Sequence, residues 1–217
     1  MYLLTRGLVF SDSAATGIAN AERVVSFEAA LGFLWEPGWQ EWVLRRPDAL
    51  AVFFNWVYIV TYWPVIAALG VALFAMDRRD YYHYRTVVVI SLVFALVTFA
   101  LFPLASPFNL SAHLVNTIQE MGPSFYGSPG MAEFYNTNAA MPSLHFCWTV
   151  ILGVVIIRRL RGGLRLLGFG YPVLTFFAIT VTGNHFVLDA IAGGLLAAAA
   201  FGMVALWRRR PRGQVST

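Results

Sequence analysis

The sequence predicts an all-α integral membrane protein, a helical bundle with five clear transmembrane helices and an N-terminal amphipathic helix at the membrane interface. Composition is the first observation behind this prediction. Of the 217 residues, 59% are hydrophobic and 12% are charged, and the mean hydropathy is +0.65. Roughly a quarter of the residues in soluble domains are charged, so this composition excludes a soluble protein. The other two observations are apolar segments of membrane-spanning length and arginine clusters between them.

Five apolar segments are long enough to cross a bilayer, which takes about 20 residues per helix. They lie at 49–76, 86–103, 143–159, 164–182 and 186–207. A long loop, 104–142, separates the second from the third, and the whole chain, 1–217, is expected to form one membrane domain. The N-terminal stretch "MYLLTRGLVF" has the composition of the end of another span, so six transmembrane helices are expected in the full-length form.

The segment 14–36 is predicted to be an amphipathic helix that lies on the membrane surface. Its apolar residues recur at roughly helical spacing: Ile18, Ala21, Val25, Leu31 and Leu34. Polar residues stand between them: Glu22, Arg23, Ser26 and Glu28. Pro37 and Gly38 are expected to end the helix. We therefore interpret this segment as an anchor at the membrane surface.

The distribution of arginine predicts which side of the membrane each link faces. The chain has 15 basic residues, all of them arginine. Three fall in 77–85, four in 158–165 and four in the C-terminal tail, whereas 104–142 and 183–185 contain none. Basic residues favour the cytoplasmic side, so the arginine-free links are expected to be extracytoplasmic. Clusters this short are typical of topology signals, and no nucleic-acid partner is expected.

Two histidines are predicted to meet at the extracytoplasmic surface of the cell membrane. His145 begins the span that leaves the 104–142 loop, and His185 begins the last span. Asp189 lies four residues after His185, on the same helix face. Its carboxylate can accept a hydrogen bond from one imidazole nitrogen and leave the other nitrogen available as a nucleophile or base.

The start of the span at His145 is suited to an anion. Pro142 and Ser143 precede it, and the first turn of a helix offers unpaired backbone N–H groups at the positive end of the dipole. Ser143 adds a hydroxyl donor, so a phosphate is expected to rest there with His145 placed to protonate a departing oxygen. Asn184 either donates to a phosphate oxygen or caps the last helix.

These residues together indicate phosphoryl transfer through a phosphohistidine, with His185 attacking, His145 acting as the acid and Asp189 orienting the nucleophile. No metal or other cofactor is required. Two alternatives stay open: histidines at a membrane interface are often ordinary interfacial side chains, and two histidines with an aspartate can ligate zinc. Further ligands would come from the adjoining loop, which contains His113, Glu120 and Glu133.

The motifs "MPSLH" (141–145) and "GNHFVLD" (183–189) resemble the Pro-Ser-x-His and His-x-x-x-Asp motifs of the type 2 phosphatidic acid phosphatase superfamily. The chain is more closely similar to the branch of inositol phosphorylceramide synthases, and "FPLASPF" (102–108) and "YGSPGM" (126–131) resemble further signatures. The resemblance implies a six-helix membrane fold whose site faces away from the cytoplasm. It also implies a metal-independent phosphatase or phosphotransferase that acts on lipid-linked phosphates.

Two positions depart from the superfamily pattern. Ile179 stands six residues before His185, and Phe108 follows "FPLASP", where the pattern has arginines that would clamp the phosphate. Arg46, on the same predicted side of the membrane, is a candidate substitute that binds substrate. A less charged phosphodiester substrate would fit the loss of the two arginines. So would the alternative function, a non-catalytic membrane protein that retains the fold and binds a lipid headgroup.

The expected partners are therefore a lipid-linked phosphate substrate, which enters from the bilayer, and the membrane lipids themselves. Helices rich in Gly and Ala permit close crossing, so an oligomer is compatible with the sequence.

Overall fold

The protein is described by a computed structural model that covers residues 13–110, 114–123 and 138–209. Within these ranges the chain is helical, and an isolated parallel bridge between Leu104 and Ala139 is its β-type pairing. The helices are α1 Ser13–Ala30, α2 Glu36–Leu44, α3 Asp48–Val60, α4 Trp63–Met76, α5 Arg78–Leu101, α6 Thr117–Met121, α7 Leu144–Arg159, α8 Leu166–Val181 and α9 Val187–Arg209.

Four helical stretches are long and apolar enough to cross a membrane: Asp48–Met76, Arg78–Leu101, Gly162–Val181 and Val187–Arg208. The first contains α3 and α4, which are separated by a break at Thr61 and Tyr62. The predicted all-α membrane bundle is thus confirmed. Because α7 has 16 residues, it is shorter than a standard span, although it occupies the predicted segment 143–159.

The short helix α7 lies inside the bundle, where α5, α8 and α9 pack against it. Its buried residues point in several directions around the helix: Cys147, Trp148, Ile151, Leu152 and Val155. Close approach to α8 depends on Gly153 and Gly168, since a Cβ on either would lie 2.5 or 2.6 Å from the main-chain oxygen of the other. The helix that carries His145 in its first turn is therefore enclosed by α5, α8 and α9.

The N-terminal segment differs from the single helix expected over 14–36. The first helix ends at Ala30, because Gly32 takes a positive φ of 75°, and a second helix begins at Glu36 with Pro37 in its first turn. Ala21, Val24 and Glu28 form the buried face of α1. Glu28, expected among the polar residues of a surface helix, is instead directed into the protein.

The start of α5 also differs from the expected boundary at residue 86. Asp77 accepts a hydrogen bond from the Asp80 N–H at 3.1 Å and so caps a helix that begins at Arg78. Arg159, at the end of α7, bonds to Asp77 at 2.8 Å and to Asp80 at 2.5 Å. The arginine-rich link is therefore mostly helical, and its first turn is tied to α7.

Two buried amides fasten the end of the bundle that carries the histidines. Gln40 of α2 donates to the carbonyls of Val115 and Val181 and accepts from the Val115 N–H, each at 2.9 Å. Asn55 of α3 donates to the Thr117 carbonyl at 2.9 Å and accepts from the Thr117 hydroxyl at 2.6 Å. These bonds join α2, α3 and α8 to the residues around α6.

Candidate active site

His145 and His185 face each other across the contact between α7 and α9. Their ring centroids are 6.0 Å apart, and the ring planes are inclined by 55°. The Ser143 N–H donates to the Asp189 carbonyl at 3.0 Å, which links the two helix starts through the main chain. Gly193 makes this approach feasible, because a Cβ at that position would collide with the Ser143 carbonyl oxygen. The structure thus brings together the two histidines that the motifs singled out.

The hydrogen bonds of His185 determine which ring nitrogen carries the proton. Its Nδ1 lies 3.0 Å from the Ala140 carbonyl oxygen and 3.3 Å from Asp189 Oδ2. A carbonyl oxygen can only accept, so Nδ1 is the donor and Nε2 holds the lone pair. The side chain of His185 is 9% exposed. This arrangement presents Nε2 as a nucleophile.

Asp189 is fully buried at the start of α9. Its Oδ2 also accepts from the Phe186 N–H at 2.9 Å, so the carboxylate caps the helix as well as orienting the imidazole. The second oxygen, Oδ1, has no hydrogen-bond partner among the described residues. A carboxylate held this way can stabilise positive charge on the His185 ring.

The ring of His145 lies between two tyrosines. Its centroid is 3.8 Å from that of Tyr62 and 4.3 Å from that of Tyr58, and the interplanar angles are 20° and 25°. Two nearly parallel rings this close must occupy opposite faces of the imidazole. Tyr62 stacks in turn on Trp148, whose indole N–H donates to Ser91 at 3.1 Å. The aromatic stack therefore fixes the plane of His145.

Within this stack, His145 Nε2 is buried and has no hydrogen-bond partner in the described part of the chain. Ser143 is the N-cap of α7, and its hydroxyl accepts from the Phe146 N–H at 3.3 Å. That hydroxyl is consequently engaged with the helix start. Its proton is still available for donation to a phosphate oxygen.

The two other candidate substrate ligands are placed differently. Asn184 turns its amide toward Thr182, donating to the hydroxyl at 3.0 Å and to the carbonyl at 3.3 Å. Arg46 lies at the surface with its guanidinium 4.9 Å from the centre of the Trp42 ring. Of the hydrogen bonds and ion pairs among the described residues, none joins Arg46 to His145, His185 or Asp189.

The two positions that depart from the superfamily pattern have structural roles here. Ile179 is fully buried and packs in a cluster with Val57, Tyr58 and Ala190. Its carbonyl accepts from the His185 N–H at 3.0 Å, and the Phe108 N–H donates to the Gly183 carbonyl at 3.1 Å. Both residues thus support the turn that carries His185 without adding charge.

Two buried carboxyl groups were missed in the sequence. Glu28 accepts from the Leu188 N–H at 2.7 Å, and Glu36 accepts from the Val187 N–H. Both side chains are 0% exposed. A signal did exist for Glu28, because it follows Ala21 by seven residues and Val24 by four, which places all three on one helix face. For Glu36, adjacent to Trp35 and Pro37, spacing offers no comparable signal.

The described residues contain no group of three His, Cys, Asp or Glu side chains arranged to hold a metal ion. Of the further zinc ligands considered above, His113 and Glu133 lie outside the described residues, and Glu120 is exposed on α6. The signature-like stretch 126–131 also lies outside them.

The structure is a bundle of apolar helices that carries two histidines and a buried aspartate at one end. This is the arrangement expected from the two histidine motifs of the sequence. Residues 22–203 match the PAP2 superfamily. The chain belongs to that superfamily, which confirms the resemblance at this level, whereas the branch of inositol phosphorylceramide synthases stays a prediction.

A solved structure from Aquifex aeolicus, the crystal structure of LpxE, shares the fold with a TM-score of 0.59 at 16% identity. The alignment covers 77% of this chain and 92% of LpxE. No curated protein sequence matches the chain.

Proposed function

We propose that this protein is a membrane-embedded lipid phosphatase or phosphotransferase that works through a phosphohistidine on His185. One observation carries the proposal: the Ala140 carbonyl and Asp189 hold the proton of His185 on Nδ1, so Nε2 has its lone pair available in a ring whose centroid lies 6.0 Å from that of His145. Membership of the PAP2 superfamily supports the same class of reaction.

In the first half-reaction, Nε2 of His185 attacks the phosphorus and an N–P bond forms while the P–O bond to the leaving group breaks. His145, protonated beforehand, gives its proton to the departing oxygen. The phosphorylated imidazole retains its Nδ1 proton and is cationic, and Asp189 stabilises that charge at 3.3 Å. In the second half-reaction His145 accepts a proton from the incoming water or alcohol, which attacks phosphorus and regenerates His185.

The absence of arginine contacts supports a substrate with one negative charge at phosphorus, a phosphodiester, because a dianion demands a stronger positive clamp. Among the described residues, no arginine makes a hydrogen bond or ion pair with the histidines or Asp189. Transfer of a phosphoryl headgroup between lipids, the reaction class implied by the inositol phosphorylceramide synthase branch, meets this condition. Release of phosphate from a lipid monoester, which is a dianion, depends more strongly on arginines that clamp the phosphate.

The activity test is a panel of lipid phosphomonoesters and phosphodiesters, each incubated with purified protein in EDTA, with and without acceptor alcohols. We expect metal-independent release or transfer that disappears in His185→Ala. His83→Ala is the matched control, because His83 is a described histidine at the arginine-rich end of α5. Activity of His185→Ala close to wild type would overturn the assignment of the nucleophile.

A second candidate function, binding of a lipid headgroup without turnover, is favoured by the same lack of arginine contacts. It predicts that the panel yields no product while the wild-type protein still binds a lipid phosphate. Loss of that binding in His185→Ala would then assign the histidines to recognition.

We place the site on the extracytoplasmic side, with α1 at that interface as part of a single membrane domain, because the links beside the histidines lack arginine. Labelling with an impermeant thiol reagent tests this placement. Gln119→Cys, on the exposed side of α6, should react in intact cells, whereas Arg161→Cys should react only after permeabilisation. The native Cys147 is buried and gives little background. The reverse pattern would invert the topology.

A further inference from the structure

Two glutamates from the N-terminal segment close the start of α9. The Leu188 N–H donates to Glu28 Oε1 at 2.7 Å, and the Val187 N–H donates to Glu36 Oε1. These N–H groups belong to the first turn of a helix, where no intrahelical acceptor exists. The two helices α1 and α2 thereby hold the element that carries Asp189 and follows His185.

The two carboxyl groups cannot both be charged at low cost. Both side chains are 0% exposed, and their second oxygens, Oε2, receive no N–H or O–H from other described residues. A side-chain hydrogen bond links the two carboxyl groups, which requires that one of them carry a proton. Burial, and then repulsion from Glu36, raise the pKa of Glu28 to about 9. Burial also raises the pKa of Glu36. The pair therefore keeps a proton at neutral pH.

Few other charges act on this pair. Asp189 on α9 raises the pKa of both glutamates by repulsion. His185 bonds to Asp189, and His145 lies beyond it, with its ring centroid 6.0 Å from that of His185. The loop 102–110, which packs beside α1, contains no titratable residue, and neither do the last turns of α8. By sharing one proton, the two glutamates avoid a second buried negative charge that no neighbouring positive charge would compensate.

We propose that Glu28 and Glu36 are positioning residues that share one proton and lock the start of α9, so that His185 faces His145. The N-terminal segment is then part of the catalytic apparatus and more than a membrane anchor. This role rests on the proposed function of the two histidines. It adds a pH limit, because loss of the shared proton leaves two buried charges that repel each other and separate α1 and α2 from α9.

The direction of the pH effect follows from the raised pKa values. A carboxyl group whose pKa is raised by folding contributes stability below its unfolded pKa, and that contribution is lost as the pH rises through the folded value. Thermal stability of the wild-type protein should therefore decline as the pH rises from about 4.5 to about 9 and level off above that, whereas turnover, which depends on the proton in the folded protein, should decline around pH 9.

The test compares Glu28→Gln and Glu36→Gln with Glu22→Gln, a matched control at an exposed position of α1. Glutamine keeps an oxygen that accepts the backbone N–H and cannot ionise. In each of these two variants, the remaining glutamate no longer has an ionisable partner at the other position of the pair. The decline in Tm with rising pH should flatten, and the alkaline limb of the kcat profile should move up by about one pH unit or more with KM near wild type. The control should keep the wild-type slopes.

Unchanged Tm slopes in both buried variants would overturn the shared proton. A flattened Tm slope with an unmoved kcat limb would overturn the positioning role and leave the proposed function intact. If wild-type protein shows no turnover, the proposed function fails, and the Tm slopes still decide whether the pair shares a proton.

Infrared titration of the wild-type protein needs no variant. The band of a buried protonated carboxyl group should be present at neutral pH and disappear around pH 9, the pKa of Glu28 in the folded protein. Its absence at neutral pH would contradict the proposal.

Discussion

The contact between Gly193 and Ser143 sets the separation of the two histidines, and Gly193→Ala perturbs it directly. The Cβ of an alanine at 193 would collide with the Ser143 carbonyl oxygen and would lie 3.3 Å from the Cys147 nitrogen. Both neighbours are main-chain atoms of α7 or its N-cap and cannot rotate away. Alanine therefore forces α7 and α9 apart at the point where the Ser143 N–H bonds to Asp189.

The expected magnitude follows from this geometry. Ordinary carbon contacts are about 3.5 Å or longer, so the helices must separate by roughly 1 Å. A displacement of that size at reacting groups lowers turnover by about 10²-fold. Overpacking costs about 1–3 kcal/mol, which the higher helix propensity of alanine offsets by about 1 kcal/mol. The loss of activity, about 2.7 kcal/mol of activation free energy, should thus exceed the net loss of stability, which is about 0–2 kcal/mol.

Two neighbouring glycines of α9 supply matched controls. A Cβ at Gly194 meets Phe146 at an ordinary 3.4 Å, and a Cβ at Gly202 meets nothing within 4 Å. The assay measures kcat with the best substrate of the panel and the thermal midpoint of each variant. Gly194→Ala and Gly202→Ala should retain wild-type kcat. A Gly193→Ala variant with the same kcat and midpoint as Gly202→Ala would refute the reasoning.

Three further predictions concern the surroundings of the histidines. Tyr62→Leu removes one face of the stack that orients His145, so turnover should fall most with poor leaving groups, and Tyr62→Phe, which keeps the ring, should lose less. An equal loss for all leaving groups would argue against this. Gln40→Leu leaves buried backbone groups unpaired at about 1–3 kcal/mol each, and an unchanged thermal midpoint would contradict the observed bonds. Ile179→Arg buries an unpaired cation beside Tyr58 and should lower the free energy of unfolding by more than about 4 kcal/mol. A stable and more active variant would show that an arginine can be accommodated there.

The class of fold was predictable because the bilayer dictates the length of apolar segments and the placement of arginines between them. Both can be read from the sequence without knowledge of packing. Helix boundaries were predicted less well where capping decided them. Asp77 starts α5 within the arginine-rich link, and Gly32 divides the N-terminal segment. Both residues are visible in the sequence, but whether a cap forms depends on the neighbours that compete for the chain.

The candidate site was partly readable from the sequence. Two histidine motifs at the starts of spans on one side of the membrane predicted that His145 and His185 would be close. The Ala140 carbonyl that fixes the tautomer, and the tyrosines that enclose His145, are supplied by distant segments and have no local signal. Arg46, a cation on the expected side of the membrane, lies on Trp42 at the surface.

The buried glutamates show why polarity alone misleads in such a helix. Glu28 has the helical spacing of the buried residues Ala21 and Val24, yet a charged side chain is expected on the face of a helix that contacts water. Burial becomes favourable only because α9 presents unpaired N–H groups and because a second carboxyl group, from Glu36, shares the proton. Neither condition can be read from α1 by itself.

The central claim is that His185 becomes covalently phosphorylated through Nε2. The most direct measurement is rapid quenching in alkali, where phosphohistidine survives, followed by mass spectrometry of the peptides from wild-type protein and His145→Ala. A substrate with a good leaving group makes the first step independent of the acid, so His145→Ala should accumulate phosphate on His185. Turnover without label on His185, or label on another residue, would contradict the account.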